Sequence, residues 1–475
     1  MAILSPSNKK ISIFSLVMIT VIATDSLRNI PISAQYGYYL IFFYILAAIT
    51  FMLPSAFATA ELVSAWPEEG GVYLWVKKAF GAKVGFLTIW LQWVYNICWY
   101  PTILALLAAT LAYLIDPALA ENKFYTFFTV NIAYWLITWI NSKGVSASSK
   151  MSSFTAIVGT IVPMFFICIL CFWWLKSGNI PQINFKFDNI MPDMKTTDNW
   201  ILLSNILYSL IGVEISAYHV KNVKNPKKNY PIALFSASAI ILVSLIFSSL
   251  AVAAIIPEYS LKNTLNSGLL DAFSLFFSYF NLQWIMPIVS VLIIIGIIGG
   301  VGAWIIGPSK GLLLAANDID LPKIFKKQNK AETPIGILII QGVIFSILSF
   351  MYIAMPSVNS AFFILSILTA QLALISYIFL FAAYIKLRYK YPNIERPFET
   401  PGGTFGVWVL GIMAILTCMV TILLSFLPPD HIKLGDIYLY ETYLIISFII
   451  FIISPFFIAF FSKKSQSTRS PIVRN

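Results

Sequence analysis

The chain has 475 residues, 59% of them hydrophobic and only 11% charged, with a mean hydropathy of +0.84. Soluble domains carry about 25% charged residues, so this chain cannot cover a globule with polar surface, which excludes an ordinary cytosolic enzyme and a disordered protein. A formal net charge of +11 would point to nucleic acid in a soluble chain, but here the basic residues lie between apolar runs and read as an orientation signal.

A helix needs about 20 apolar residues to cross roughly 30 Å of hydrocarbon. In chain order the apolar runs are 11–34, 38–62, 84–113, 124–141, 151–175, 200–220, 231–256, 279–315, 335–354, 359–386, 405–427 and 439–462. The expected fold class is therefore an all-α polytopic membrane protein with 12 transmembrane helices. Its 38 Phe, 23 Tyr and 13 Trp suit a lipid-solvated chain with aromatic belts. Lys9 and Lys10 precede the first run and no small-residue cleavage site follows it, so it reads as a retained span.

With the N-terminus inside, 24 of the 31 Lys and Arg fall in cytoplasmic segments. Lys123, Lys176, Lys186, Lys195, Lys262 and Lys433 fall in external loops, and Arg28 stands alone at membrane depth. This bias predicts both termini in the cytoplasm. The run Lys221, Lys224, Lys227 and Lys228 reads as part of that signal.

Charges at membrane depth are costly and mark functional positions. Asp25, Arg28 and Glu214 lie well inside predicted spans, and each carboxylate comes 14 positions after its segment's start, at 11 and at 200. If spans 1–5 and 6–10 are repeats, an odd number of spans makes them inverted, the design of many secondary transporters. The expected organisation is one transmembrane domain, 1–475. Repeat one covers about 11–175, repeat two about 200–388, extra helices about 405–462, and a short cytoplasmic tail 463–475.

Both carboxylates sit in segments that predict a broken helix. Span one reads Thr24-Asp25-Ser26-Leu27-Arg28-Asn29-Ile30-Pro31, polar and closed by a residue without an amide hydrogen. Span six reads Tyr208-Ser209-Leu210-Ile211-Gly212-Val213-Glu214, where Ser and Gly permit unwinding. Unwound backbone offers amides to an anion and carbonyls to an ammonium group, a match for a zwitterionic amino acid. The alternative is a Pro kink with a buried Asp25/Arg28 or Arg28/Glu214 ion pair that holds helices together.

At these residues the chain resembles the amino acid–polyamine–organocation superfamily, and within it the glutamate/γ-aminobutyrate antiporter family. The resemblance rests on Glu68-Glu69-Gly70-Gly71-Val72-Tyr73-Leu74-Trp75-Val76, on Gly212-Val213-Glu214-Ile215-Ser216-Ala217-Tyr218-His219-Val220 with Asn225-Pro226-Lys227-Lys228, on Trp304-Ile305-Ile306-Gly307-Pro308-Ser309-Lys310-Gly311, and on Phe426-Leu427-Pro428-Pro429-Asp430. It implies a LeuT-like 5+5 inverted repeat with broken spans 1 and 6 and two C-terminal helices. It further implies that Glu214 links the site to a gate, that Tyr208 stacks on substrate, that Trp304 lines the cavity and that Tyr377 stands near the external gate, with Ala373 at a second tyrosine position. Thr24, Asp25 and Ser26 fall where relatives have a Gly-Ser-Gly break.

Two features depart from that family. Arg28 stands where the acid-resistance antiporter has a tyrosine, so its substrate pair does not carry over. The 13 residues after 462 are too few for that protein's C-terminal plug, so its pH gating is not expected either.

The expected function is amino-acid exchange by alternating access, with Thr24, Asp25, Ser26, Arg28, Tyr208, Ser209, Gly212, Glu214, Trp304 and Tyr377 in binding or gating. Arg28 is expected to take a substrate carboxylate bidentately, and Glu214 to couple protonation or gate position to transport. The expected partners are amino-acid substrates such as glutamate and γ-aminobutyrate, the lipid bilayer and protons, without nucleic acid. The expected location is the bacterial inner membrane. No catalysis, cofactor or metal is expected. Cys98, Cys168, Cys171 and Cys418 are scattered through apolar stretches, and the two histidines, His219 and His431, stand at span ends. A proton-coupled symporter and a transport-dead sensor are the alternatives. Trp90, Trp93, Tyr95, Trp99 and Tyr100 are denser than packing needs, with no role assigned.

Overall fold

The first apolar run does not fold as one helix. In the computed structural model, which describes residues 11–68, 70–143, 149–183, 191–192, 197–261, 263–427 and 437–467, it forms α1 (Ile13–Thr24) and α2 (Asn29–Ala34). Glu69, His431, Pro428-Pro429-Asp430 and the tail beyond 467 lie outside the described residues, as do Lys9, Lys10, Lys186, Lys195, Lys262 and Lys433. Ser12 caps α1 by accepting from the Ser15 amide, and Asp25 ends it in an extended conformation. Pro31 sits in the first turn of α2, where its missing amide costs no helical bond.

The chain continues through α3 (Gly37–Ala65) into the amphipathic α4 (Gly71–Phe80), then α5 (Ala82–Ala112), α6 (Lys123–Ser142) and α7 (Met151–Lys176). α8 (Thr197–Ser209) ends at a turn containing Gly212, whose φ of +119° favours glycine. A 3₁₀ segment, Val213–Asn222, follows and leads to α9 (Pro226–Ile255). Beyond it come α10 (Gly268–Phe280), α11 (Gln283–Asp318), α12 (Ile335–Ala354), α13 (Val358–Lys390), α14 (Gly403–Leu424) and α15 (Ile437–Ser467).

Among the described residues nine helices are long and apolar enough to cross a membrane: α3, α5, α7, α9, α11, α12, α13, α14 and the Tyr440–Ile458 part of α15. The other three predicted runs hold shorter or more polar helices, α1, α6 and α8. One boundary moves: the span expected from 279 starts at Gln283, because Asn281 adopts the left-handed conformation that terminates α10.

Burial sorts the helices. α5 and α13 are 89% and 83% buried over their most apolar windows and pack against each other, whereas α14 and α15 are 28% and 11% buried. The first two form the centre; the last two present apolar faces outward, as lipid contact requires. α1 packs on α9 and on the 3₁₀ segment. Ile11 exchanges backbone hydrogen bonds with Asn222 and Lys224, so the start of α1 and the end of the 3₁₀ segment share one face of the molecule. On that face the buried Glu61 of α3 accepts from Arg388 (3.0 Å) and from the Thr400 amide (2.9 Å), tying the α13–α14 connection to α3.

Candidate functional site

The two chain breaks touch. A methyl group on Gly212 would lie 2.9 Å from the Ala23 carbonyl oxygen and 3.2 Å from Thr24 Oγ1, so only glycine allows this approach. The Ala23 carbonyl, freed at the end of α1, accepts Trp304 Nε1 at 2.9 Å. The Gly212 amide donates to Tyr377 Oη at 3.0 Å, and that hydroxyl donates to Glu214 Oε2. Backbone groups that an intact helix would satisfy internally are thus taken up by side chains from α11 and α13.

Beside the breaks lies a cavity of about 630 Å³, its open mouth included, bounded by Thr24, Asp25, Ser26, Asn96, Tyr208 and Trp304 among others. Its aromatic wall is built by α5 and α11. Tyr95 and Trp99, two of the five aromatics that the sequence left without a role, set their rings 6.0 and 5.8 Å from Trp304. Part of the lining is bare backbone. Gly159 of α7 faces Gly296 of α11 so closely that a methyl group on either would lie within 2.4 Å of the other's backbone.

Asp25 lines this space, Arg28 and Glu214 lie buried near it, and among the described residues none of the three pairs with another. Asp25 accepts Ser244 Oγ of α9 at 2.6 Å through one oxygen, while Oδ1 has no hydrogen-bond partner among the described residues. Thr24 Oγ1 and Ser26 Oγ are likewise buried and unpartnered. Arg28, 2% exposed, donates to Thr102 (3.1 Å), Ser366 (3.0 Å) and Asn29 (2.7 Å), all neutral, and its Nε has no partner among the described residues. Its guanidinium lies 4.4 Å from the Tyr208 ring centre and 5.5 Å from that of Phe362. Among the described residues no ion pair joins Arg28 to Asp25 or Glu214, so the ion-pair alternative has no support here. Burying an unpaired ion costs several kcal/mol, and a cation–π contact returns about 0.5–2 kcal/mol.

Glu214 belongs to a second cluster. Its Oε1 accepts Gln92 Nε2 at 3.2 Å, and Gln92 Oε1 accepts Tyr218 Oη at 2.6 Å. With Tyr377 this makes a continuous chain of hydrogen bonds across α13, the 3₁₀ segment and α5. Gln92 lies one helical turn from the cavity-lining Asn96, toward Ala82.

The cavity therefore brings together Thr24, Asp25, Ser26, Tyr208 and Trp304, and not all ten expected residues. Arg28 lies behind Tyr208, so that ring stacks on the guanidinium. Glu214, Gly212 and Tyr377 form the adjoining cluster. Tyr377 falls nearer the Lys390 end of α13 than Ser366, which contacts Arg28. Ser209 bonds to Ile206 and Tyr44, outside the cavity. Gln92, Asn96, Thr102, Ser244 and Ser366 went unnoticed in the sequence, and Tyr218 stood within a motif but had no role assigned. The one available signal was the i, i+4 pair of amides, Gln92 and Asn96, inside an apolar span.

Residues 11–454 match the family model described as amino acid permease. The chain is 45% identical to an uncharacterized transporter of Legionella pneumophila, over 95% of this chain and 97% of that protein. It is 28% identical to a glutamate/γ-aminobutyrate antiporter of Lactococcus lactis subsp. lactis, over 95% and 90%. It is 24% identical to a probable agmatine/putrescine antiporter of the same organism, over 90% of each chain.

Proposed function

The chain belongs to the amino acid permease family, and from that premise we propose that it exchanges acidic or neutral amino acids across the bacterial inner membrane by alternating access. Both termini are then cytoplasmic, as the loop charges suggest. Residues 11–175 and 200–388 act as two inverted repeats within twelve spans, and the two breaks hold the substrate between them. No covalent chemistry and no cofactor enter this reading.

One observation carries the substrate class: a buried guanidinium without a counter-charge among the described residues, behind the Tyr208 ring of a cavity that a carboxylate lines. A zwitterion matches that pair. Its ammonium group meets Asp25 Oδ1, and its carboxylate meets Arg28 once Tyr208 turns aside, with Trp304, Trp99 and Tyr95 enclosing the carbon chain. The names of the relatives pull in two directions, since glutamate and γ-aminobutyrate carry carboxylates while agmatine and putrescine carry none. Arg28 favours the first pair.

Proteoliposomes preloaded with single unlabelled amino acids test the exchange mode. Labelled glutamate is expected to enter loaded vesicles and not empty ones. Entry into empty vesicles driven by a pH gradient would assign proton-coupled symport instead, and absence of flux across a full panel of labelled amino acids would leave a sensor.

A further inference from the structure

The hydrogen-bond chain from Glu214 ends on Tyr218, and the surroundings of that ring fit a moving part. Tyr218 projects from the 3₁₀ segment into a slot made by glycines of two other helices. A methyl group on Gly71, at the start of α4, would lie 3.2 Å from its Cζ. One on Gly311 of α11 would lie 3.3 Å from Cε1, and one on Gly307 3.8 Å from Cδ2. The hydroxyl is held by Gln92, one turn along α5 from the cavity-lining Asn96. Tyr218 thus stands between the cavity and the face that carries α4. Beyond it, Lys77 and Tyr73 of α4 both donate to Asp318 at the end of α11, which fixes the two walls of the slot to each other.

We propose that Tyr218 is the plug that closes the cavity toward the α4 face, and that it is withdrawn by a change of winding in Val213–Asn222. This rests on the alternating-access reading, and it names one moving part. The glycines on both sides put no side chains of their own in the path of the flat ring, although Ile89 packs beside it at Gly311. The segment carrying it is ten residues of 3₁₀ helix, whereas such helices seldom exceed 3–4 residues, and stretches of this kind often mark a hinge or a strained sequence. Rewinding to α-helix from Gly212 changes each step from about 120° to about 100° and the rise from about 2.0 to 1.5 Å. Six residues on, Tyr218 then turns by roughly 120° and moves by about 3 Å along the axis, enough to leave the slot.

The test is the accessibility of a cysteine at Asn96 in a full-length chain whose four native cysteines are replaced. An impermeant thiol reagent is applied to each face of membrane vesicles, with a cysteine at the exposed Lys83 marking the α4 face. Tyr218→Ala is expected to raise labelling at position 96 about tenfold from that face alone, the effect of shifting a minor open state by roughly 1.4 kcal/mol. Tyr218→Phe, which keeps the ring and loses only the Gln92 bond, is expected to label within about twofold of the parent. Tyr218→Leu is expected to fall between them, and it decides the matter if the alanine variant does not fold. Parental rates in a folded alanine or leucine variant overturn the proposal, as does equal acceleration from both faces. Labelling needs no substrate, so a chain that behaves as expected here yet exchanges no amino acid keeps the plug and loses the transport reading.

Discussion

Arg28→Gln raises the half-saturating concentration of carboxylate-bearing substrates by roughly 10- to 150-fold, the equivalent of the ~1.5–3 kcal/mol that a charge-assisted hydrogen bond contributes. The same variant unfolds no more readily than the parent. Glutamine keeps polar contact with Thr102, Ser366 or Asn29 while removing an ion that has no counter-charge among the described residues, and that removal offsets the lost cation–π contact with Tyr208. The two readouts together separate a substrate-binding arginine from a structural one. A structural Arg28 gives a less stable protein whose surviving fraction binds normally. Arg28→Lys is expected to restore part of the affinity, since it keeps the charge and loses the planar fork. Unchanged affinity and unchanged substrate preference in folded Arg28→Gln would exclude the assigned role.

Gly296→Ala is the second large effect, and it acts on the scaffold. Its added methyl group would sit 2.3 Å from the Gly159 carbonyl oxygen, a backbone atom that no rotamer change can move. α7 and α11 must then separate along a wall of the cavity, and overpacking of this kind costs about 1–3 kcal/mol or more. The variant is expected to unfold several degrees lower and to lose most of its transport. Gly302→Ala on the same helix is the control. The nearest atom to its added methyl group is Asn141 Nδ2 at 3.6 Å, ordinary contact distance, so alanine there is expected to leave stability unchanged or to raise it by about 0.4–1 kcal/mol. Equal unfolding temperatures for the two variants would refute the close approach of α7 and α11.

Both predictions turn on features that the sequence displayed unequally. The spans were legible because lipid demands long apolar runs, and the runs at 84–113 and 124–141 differ by a residue or two from Ala82–Ala112 and Lys123–Ser142. The interruption at 25–28 was legible as well: Thr24, Asp25, Ser26 and Pro31 are too polar or too rigid for an uninterrupted membrane helix. α4 was not legible, being a ten-residue amphipathic helix between two glycines with positive φ.

The site was legible by residue and not by partner. Asp25, Arg28 and Glu214 announce themselves as charges at membrane depth, but Ser244 on α9, Gln92 on α5 and Tyr377 on α13 reach them only through the tertiary fold. Those separations exceed 100 residues, and no local periodicity encodes them. For the same reason the ion pairs that three nearby charges suggest did not form. Each charge found neutral hydroxyls or amides on a neighbouring helix, and Arg28 was left with the face of Tyr208. The winding of Val213–Asn222 was hidden too, since a 3₁₀ segment and an α-helix place similar demands on composition.

The account stands or falls on whether the site reads a carboxylate. The direct measurement is counterflow of labelled glutamate into vesicles loaded with glutamate, with γ-aminobutyrate, glutamine, agmatine and putrescine each added outside as competitor. The account predicts that γ-aminobutyrate and glutamine, which carry both a carboxylate and an ammonium group, suppress the flux, and that agmatine and putrescine do not. Suppression by putrescine as strong as that by γ-aminobutyrate would contradict it, as would labelled putrescine flux in a chain that moves no carboxylate-bearing amino acid.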